Sequence, residues 1–264
     1  MTAENHARKS SNGPAPIYLI PWDPDSQEHV DRMTLQRIAC GWKVKDVEGW
    51  RDPQRKGEIG LYWVVLHPNH SDTPSRIEKH FAAYPGEVEA LLDTGLTILG
   101  RPHKPDPLIP FFHPIGHIAL NAITSEPELE TSLSNGVLSL VNFYISTALQ
   151  GLGLGGVALE CCENMAKEEF GVKAITLGTI ANEEVRADSP RRIALKRPMP
   201  IVTNQDWYSR RGYKIYHRKE SAWVDTDETG KEWPVLASPH LLLKFRYDDR
   251  PEQGYNFADK EKTS

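Results

Sequence analysis

The sequence lacks most of what marks a secreted, membrane-bound or nucleic-acid-binding protein. It has 3 cysteines in 264 residues. Two are adjacent (Cys161, Cys162) and the third is remote (Cys40), which makes neither a disulfide framework nor a zinc set. No metal is expected. No window approaches the roughly 20 apolar residues that a membrane span needs, and Met1 to Pro14 is polar, without the apolar core of a secretory signal. The expectation is a cytoplasmic, intracellular protein with no membrane partner. Basic charge is not in excess: 31 Lys plus Arg against 36 Asp plus Glu leave a net charge of −5. Nucleic acid is therefore not an expected partner, because phosphate neutralisation needs a concentrated Lys/Arg surface. There is no internal repeat, and no heptad or long exposed apolar strand reveals an oligomeric state.

With 39% apolar residues, the chain can bury one large core, and a single elaborated domain over 17–247 is expected. Residues 1–16 and 248–264 are polar and read as flexible tails. Ile17 to Ile20 reads as a strand and Gln27 to Ala39 as a helix capped by Ser26. Ile59 to Leu66 is a second, almost continuously apolar strand. The stretch 67–114 reads as an insertion. Ser75 and Glu78 have capping-box spacing, Pro85 can open another turn, and five prolines from Pro102 to Pro114 exclude helix and central strand, leaving an extended, stiff segment. Strands follow at Ile115 to Leu120 and Leu138 to Ile145. Ala158, Cys161, Cys162 and Met165 then have the i, i+3, i+4, i+7 spacing of a helix closed by Gly171, and Val172 to Leu177 is a buried strand. The succession is a βαβ crossover. A second insertion, 180–200, reads as a mobile charged loop. Thr203 and Asp206 open a short helix ending at Gly212. Strands are expected at Tyr213 to His217 and Leu241 to Tyr247, with a turn at Asp227 to Gly230. The fold class is α/β (α+β), a mixed sheet with a central βαβ unit and long insertions.

Gln150-Gly151-Leu152-Gly153-Leu154-Gly155-Gly156 stands where a buried strand hands over to a helix. Glycines there let the backbone approach a ligand, and the first helical N–H groups face outward at the positive end of the dipole. The turn suits a phosphate or pyrophosphate. Gly151, Gly153 and Gly156 also fit the dinucleotide pattern, which requires an acidic residue at the end of the next strand. Val172 to Leu177 runs instead into Gly178, Thr179 and Ile180, which disfavours a nicotinamide-dependent oxidoreductase.

Gln150-x-x-Gly153-x-Gly155 resembles the Gln/Arg-x-x-Gly-x-Gly/Ala motif of the GNAT superfamily of acyl-CoA-dependent N-acetyltransferases. Tyr208-Ser209-Arg210-Arg211-Gly212-Tyr213, in the right order after the βαβ unit, is similar to that family's Tyr-Glu-Lys-x-Gly-Phe segment. Thr147 replaces the frequent proline before the loop. The resemblance covers about 115–247 and implies a GNAT-like fold. It further implies acetyl-CoA as co-substrate and acetyl transfer to a primary amine, a small molecule or a Lys or N-terminal amine, by direct attack in a ternary complex. By the same resemblance Gln150, Gly151, Leu152, Gly153, Leu154, Gly155 and Gly156 hold the coenzyme phosphates. Phe143, Tyr144 and Ile145 line the pantetheine arm, and a strand amide near Ile145 meets the oxyanion. Tyr208 is the implied general acid: a phenol of pKa about 10 stays protonated at neutral pH and can reprotonate a thiolate of pKa about 8.5.

No general base is visible. Relatives that use a strand Glu are not matched, since Leu138 to Ile145 offers only Ser139 and Asn142; Glu183, Glu184, His113 and His117 are candidates by polarity alone. Arg191, Arg192, Lys196 and Arg197 can close over phosphates or remain solvated. Trp63 reads as core, and Trp42 and Trp50 as core, lid or acceptor contacts. Cys161 and Cys162 read as small apolar residues rather than an acyl-carrying nucleophile. The absence of an obvious base leaves open a noncatalytic acyl-CoA-binding or sensing module.

Overall fold

The computed structural model describes residues 16–107, 109–129 and 131–242. Of the sequence expectations, residues 1–15, the tail 248–264 and the end of the Leu241 to Tyr247 strand lie outside the described residues. The elements are, in order, β1 (Ile17–Pro21), α1 (Gln27–Cys40), α2 (Arg51–Lys56), β2 (Ile59–Leu66), α3 (Thr73–Ala83), β3 (Leu91–Leu92), β4 (Thr97–Ile98), β5 (Arg101–Pro102), β6 (Phe111–Phe112), β7 (Pro114–Asn121), β8 (Val137–Ile145), α4 (Leu154–Phe170), β9 (Ala174–Ile180), α5 (Pro190–Ala194), α6 (Asn204–Ser209), β10 (Lys214–Ile215), β11 (Lys219–Thr226) and β12 (Glu232–Leu242).

The main sheet runs β1-β2-β7-β8-β9-β12, with β10 and β11 end to end along the outer edge of β12. All these pairings are antiparallel except β8 with β9, which α4 connects. This is the expected βαβ unit in a mixed α/β sheet. Successive residues of a strand face opposite sides, and β2 is buried at every position. Its Tyr62, Val64 and Leu66 join the core under α4, while Leu61, Trp63 and Val65 join the core under α1. A core on both faces explains why β2 is almost continuously apolar.

The 67–114 segment is more structured than an extended chain. It contains α3, which begins before Ser75; the Ser75 hydroxyl donates to the Asp72 carbonyl instead of capping. It also forms two short ladders, β3 with β6 and β4 with β5. Leu91, Ile98, Leu99 and Phe112 are buried, so the apolar residues between the prolines pay for the ordering. Pro114 opens the central strand β7 at the first-residue position, where the sheet tolerates a missing N–H.

The charged 180–200 segment also departs from a mobile loop. It folds into a turn over Asn182–Val185 and α5, capped by the Ser189 hydroxyl. The reason is tertiary: buried Arg191 pairs with Asp225 of β11 and lies 3.9 Å from Glu184. Strand β10 is shorter than Tyr213 to His217. Strand β11 has no counterpart in the sequence reading, because it is a half-exposed edge whose apolar residues Ala222, Trp223 and Val224 are adjacent rather than alternating.

In β8 two residues, Asn142 and Phe143, stand between the pairs His117–Tyr144 and Ala119–Val141, where β7 has one, and Asn142 takes a φ of 50°. This is a β-bulge. Gly116 makes room for it: a Cβ there would collide with the Tyr144 carbonyl oxygen. Gly116→Ala is expected to lose about 3 kcal/mol of unfolding free energy in a urea titration. An unchanged midpoint would show that β8 does not need this close approach.

Candidate active site

The parallel pairing of β8 with β9 covers only Val137 to Leu140 against Ala174 to Leu177. Beyond it, β9 stays with β12 as far as Ile180, while Tyr144 and Ile145 stay with β7. The strands therefore part after Leu140, beside the bulge. The edge of Val141 to Ile145 that faces away from β7 is not paired with β9, and unpaired strand edges are templates for another extended chain.

Gln150 to Gly156 follows directly. The Gln150 amide donates to the Ile145 carbonyl at 3.1 Å and folds the loop back on the strand end. Gly151 and Gly153 have φ of 81° and 80°, in the left-handed region that favours glycine. Gly153 is the N-cap of α4, and no side chain caps this end or places acid in its first turn. A helix that begins without an internal anion offers its N–H groups and dipole to an external one. Above this end lies a cavity of about 960 Å³, whose walls include Leu152, Gly153, Leu154, Gly156, Arg76, Arg210 and Arg211, with Asp72, Glu160 and Glu163. Arg76 pairs with Asp72. The Arg211 guanidinium stacks on Trp207 at 3.5 Å from the ring centroid, donates to the Trp207 carbonyl, and lies 2.9 Å from where a Gly156 Cβ would stand.

Phe143 and Ile145 face α4, and a Cβ on Gly155 would contact both, together with Trp207. Thus α6 closes the α4 side of the site. It forms as expected, with the Thr203 hydroxyl accepting from the Asp206 amide. Tyr208 packs edge-on against Trp207 and Tyr213, at 4.9 and 5.4 Å between centroids. Burial pushes its phenol pKa well up, with Arg211 opposing and Cys162 and Glu163 adding to the rise.

Tyr144 faces the other side of the sheet, among buried polar residues that the sequence did not bring together. It stacks on His117 at 5.4 Å. His117 Nδ1 is 2.9 Å from Gln36 Oε1 and its Nε2 is 3.1 Å from Arg37 Nη1. Arginine only donates, so the ring carries its proton on Nδ1; burial and then Arg37 hold its pKa well below 6.5. Gln36 Nε2 donates to Glu87 Oε2 at 2.9 Å. Glu87 Oε2 lies 3.5 Å from His80 Nε2, and His80 Nδ1 is 2.9 Å from the Ser146 hydroxyl. Ser146 directly follows the unpaired part of β8. Ile77, His80, Phe81 and Tyr84 have helical spacing, the one sequence signal that His80 faces inward.

The remaining candidates disperse. Glu183 pairs with Arg218, and Glu184 accepts from the Leu236 amide. His113 packs edge-on against Phe81. Arg191, Arg192, Lys196 and Arg197 do not line the cavity over α4; they hold Asp225, the carbonyls of 186, 187 and 197, and Glu228. Trp63 is core, whereas Trp42 is half exposed and packs against Trp223. Burial raises the pKa of both Cys162 and Cys161, which keeps them thiols. Among the described residues no group of three or more His, Cys, Asp or Glu could hold a metal, and no helix is long and apolar enough to cross a membrane.

No family model and no curated protein matches the chain. Solved structures do. The spermidine/spermine N-acetyltransferase SpeG from Vibrio cholerae is similar at 8% identity and a TM-score of 0.47, covering 86% of this chain and 92% of that one. An acetyltransferase of the GNAT family from Streptococcus pneumoniae is similar at 11% identity and 0.44, covering 86% and 99%. Arabidopsis thaliana NAA60, in complex with a bisubstrate analogue, is similar at 10% identity and 0.44, covering 87% and 99%. By their descriptions the first two of these solved structures are acetyltransferases, and one of them is of the GNAT family.

Proposed function

We propose that the chain is an acyl-CoA-dependent N-acyltransferase that moves an acetyl group from acetyl-CoA to an amine. The observation that carries this reading is the juxtaposition of two features: parallel strands that part after Leu140, and a glycine loop leading into an uncapped helix at the same end. An extended arm with amide groups suits the free edge of Phe143 to Ile145, and a pyrophosphate suits the amides of Gln150 to Gly156 with Arg210 and Arg211 beside them. An acyl-CoA has both parts. A nicotinamide dinucleotide has the pyrophosphate but no arm to add to a strand edge.

The reaction is direct attack. The amine must arrive without its extra proton, and its lone pair then forms the new C–N bond at the thioester carbon. Ser146, His80 and Glu87 supply a route for that proton: the hydroxyl passes one to His80 Nδ1 as it takes one from the amine, leaving an imidazolium beside the Glu87 carboxylate. A backbone amide near Ile145 stabilises the oxyanion. As the C–S bond breaks, the thiolate takes a proton from the Tyr208 phenol. These roles account for the missing strand carboxylate, since the acid lies on the turn after α3 instead.

The test is thiol release from acetyl-CoA with a panel of amines, read with a thiol reagent and by mass spectrometry of the acceptor. Steady release with a 42 Da gain on one acceptor is expected. Tight acetyl-CoA binding without release for any amine would instead identify a noncatalytic sensing module.

A further inference from the structure

Two aromatic residues that the proposed chemistry does not use meet across the sheet. Trp42 follows α1 and Trp223 stands on β11, with ring centroids 5.8 Å apart; Trp42 is half exposed and Trp223 partly exposed. Their supports lie on opposite sides of the gap between β8 and β9. On one side, Arg37 of α1 donates from Nε to the Trp42 carbonyl at 2.8 Å, and its Nη1 is 3.1 Å from His117 Nε2 of β7. His117 pairs with Tyr144 of β8 and stacks on it. On the other side, Trp223 pairs with Val235 of β12, and β12 pairs with β9 through Ala237 and Ile180.

Paired residues of neighbouring strands share a face, as do residues two apart on one strand. Ile175 and Leu177 of β9 belong to the core under α4, so Ile180 is on the other face, and with it Ala237, Val235 and Trp223. Tyr144 and His117 are on that face too. The two indoles therefore meet over the face opposite α4, and the line joining their supports crosses the place where β8 and β9 part. On the α4 face the gap is closed by Phe143 and Trp207, whose rings lie 6.1 Å apart. An acceptor must then approach from the face that Trp42 and Trp223 span.

Both indoles are held by unusual backbone. Gly41 and Lys43, on either side of Trp42, have φ of 77° and 56°; Ser221, where β11 slips in register two residues before Trp223, has φ of 51°. Non-glycine residues stay in the left-handed region where their surroundings over-determine them, and such residues cluster at ligand clamps. The Lys43 ammonium also lies over the Trp42 ring, 4.8 Å from its centroid. The bridge is thus fixed from both ends.

We infer that Trp42 and Trp223 set the size of the acceptor: their bridge admits a small amine to the gap and excludes an amine carried on a polypeptide, whose backbone would lie where the two rings touch. This rests on the acyltransfer reading, and among the acceptors consistent with that reading it selects a small molecule over a lysine side chain or a protein N-terminus. Two indoles are bulky, rigid walls, and a wall of this kind discriminates by the bulk that it leaves no room for.

The full chain is titrated calorimetrically with coenzyme A and with two conjugates, so that binding is read without turnover. In one, an acetyl bridge joins coenzyme A to propylamine; in the other, it joins coenzyme A to the side-chain nitrogen of lysine within a blocked tripeptide. The propylamine conjugate should bind the wild type at least about tenfold more tightly than the peptide conjugate. Trp42→Ala and Trp223→Ala should each strengthen binding of the peptide conjugate at least about tenfold and leave the affinity for coenzyme A unchanged. Should one variant fail to fold, the other and the wild-type comparison still decide. Equal binding of the two conjugates by the wild type, or the wild-type ratio in both alanine variants, would overturn the inference and leave the acyltransfer reading in place. No binding of coenzyme A or of either conjugate by the folded wild type would overturn that reading, and the inference with it.

Discussion

Gly153→Glu is expected to weaken acetyl-CoA binding at least about 100-fold, near 2.7 kcal/mol, in a calorimetric titration. Three features combine at this position. The residue is the N-cap of α4, where the dipole favours an anion, so a glutamate there competes with the pyrophosphate and repels it. It borders the cavity that Arg210 and Arg211 also line. Its φ of 80° adds backbone strain of about 1–2 kcal/mol for any residue with a Cβ, although a Cβ itself would meet nothing within 4 Å. Gly153→Ala separates these effects, since it carries the strain without the charge or the bulk. It should cost thermal stability but less than about tenfold in affinity. If the glutamate variant is folded and binds like the wild type, the loop is a structural turn.

Tyr208→Phe is expected to lower kcat about 100-fold, a usual size for one general acid, with little change in KM for acetyl-CoA and none in the thermal midpoint. The ring contacts with Trp207 and Tyr213 survive in phenylalanine, so only the proton donor is lost. Burial favours the neutral phenol, and the folded pKa is raised above its usual value of 10. Tyr208 therefore stays protonated across pH 6 to 9 and cannot produce a rising or falling limb there. The variant should be slow by the same factor throughout that range. A wild-type rate in the phenylalanine variant would remove Tyr208 from the reaction and leave it a packing residue.

What was legible in the sequence follows from how local each signal is. The α1 cap at Ser26, the continuous apolar run of β2, the period of α4 and its stop at Gly171 are set within a few residues, and all appear where expected. So does the glycine loop. The structure of 180–200 was not legible, because Arg191 is ordered by Asp225, 34 positions away. Strand β11 is a half-exposed edge recruited by β12, and its apolar residues Ala222, Trp223 and Val224 lack the alternation that marks a strand. The buried polar residues behind β8 were legible only in part. His117 was a candidate by polarity alone, but its partners Gln36 and Arg37 come from α1, His80 and Glu87 come from α3 and the turn after it, and no spacing rule links these residues. The parting of β8 and β9 is likewise a property of pairing, although the βαβ unit containing it was plain.

The central claim is that the loop and the parted strands together bind an acyl-CoA. It is tested most directly by titrating the wild-type protein with acetyl-CoA, coenzyme A and NAD. The account predicts one acetyl-CoA per chain, with affinity in the range of about 1 μM to 1 mM common for enzyme substrates, similar binding of coenzyme A, and NAD weaker by at least about tenfold. NAD binding more tightly than either thiol ligand, or no binding of either by the folded protein, would contradict it.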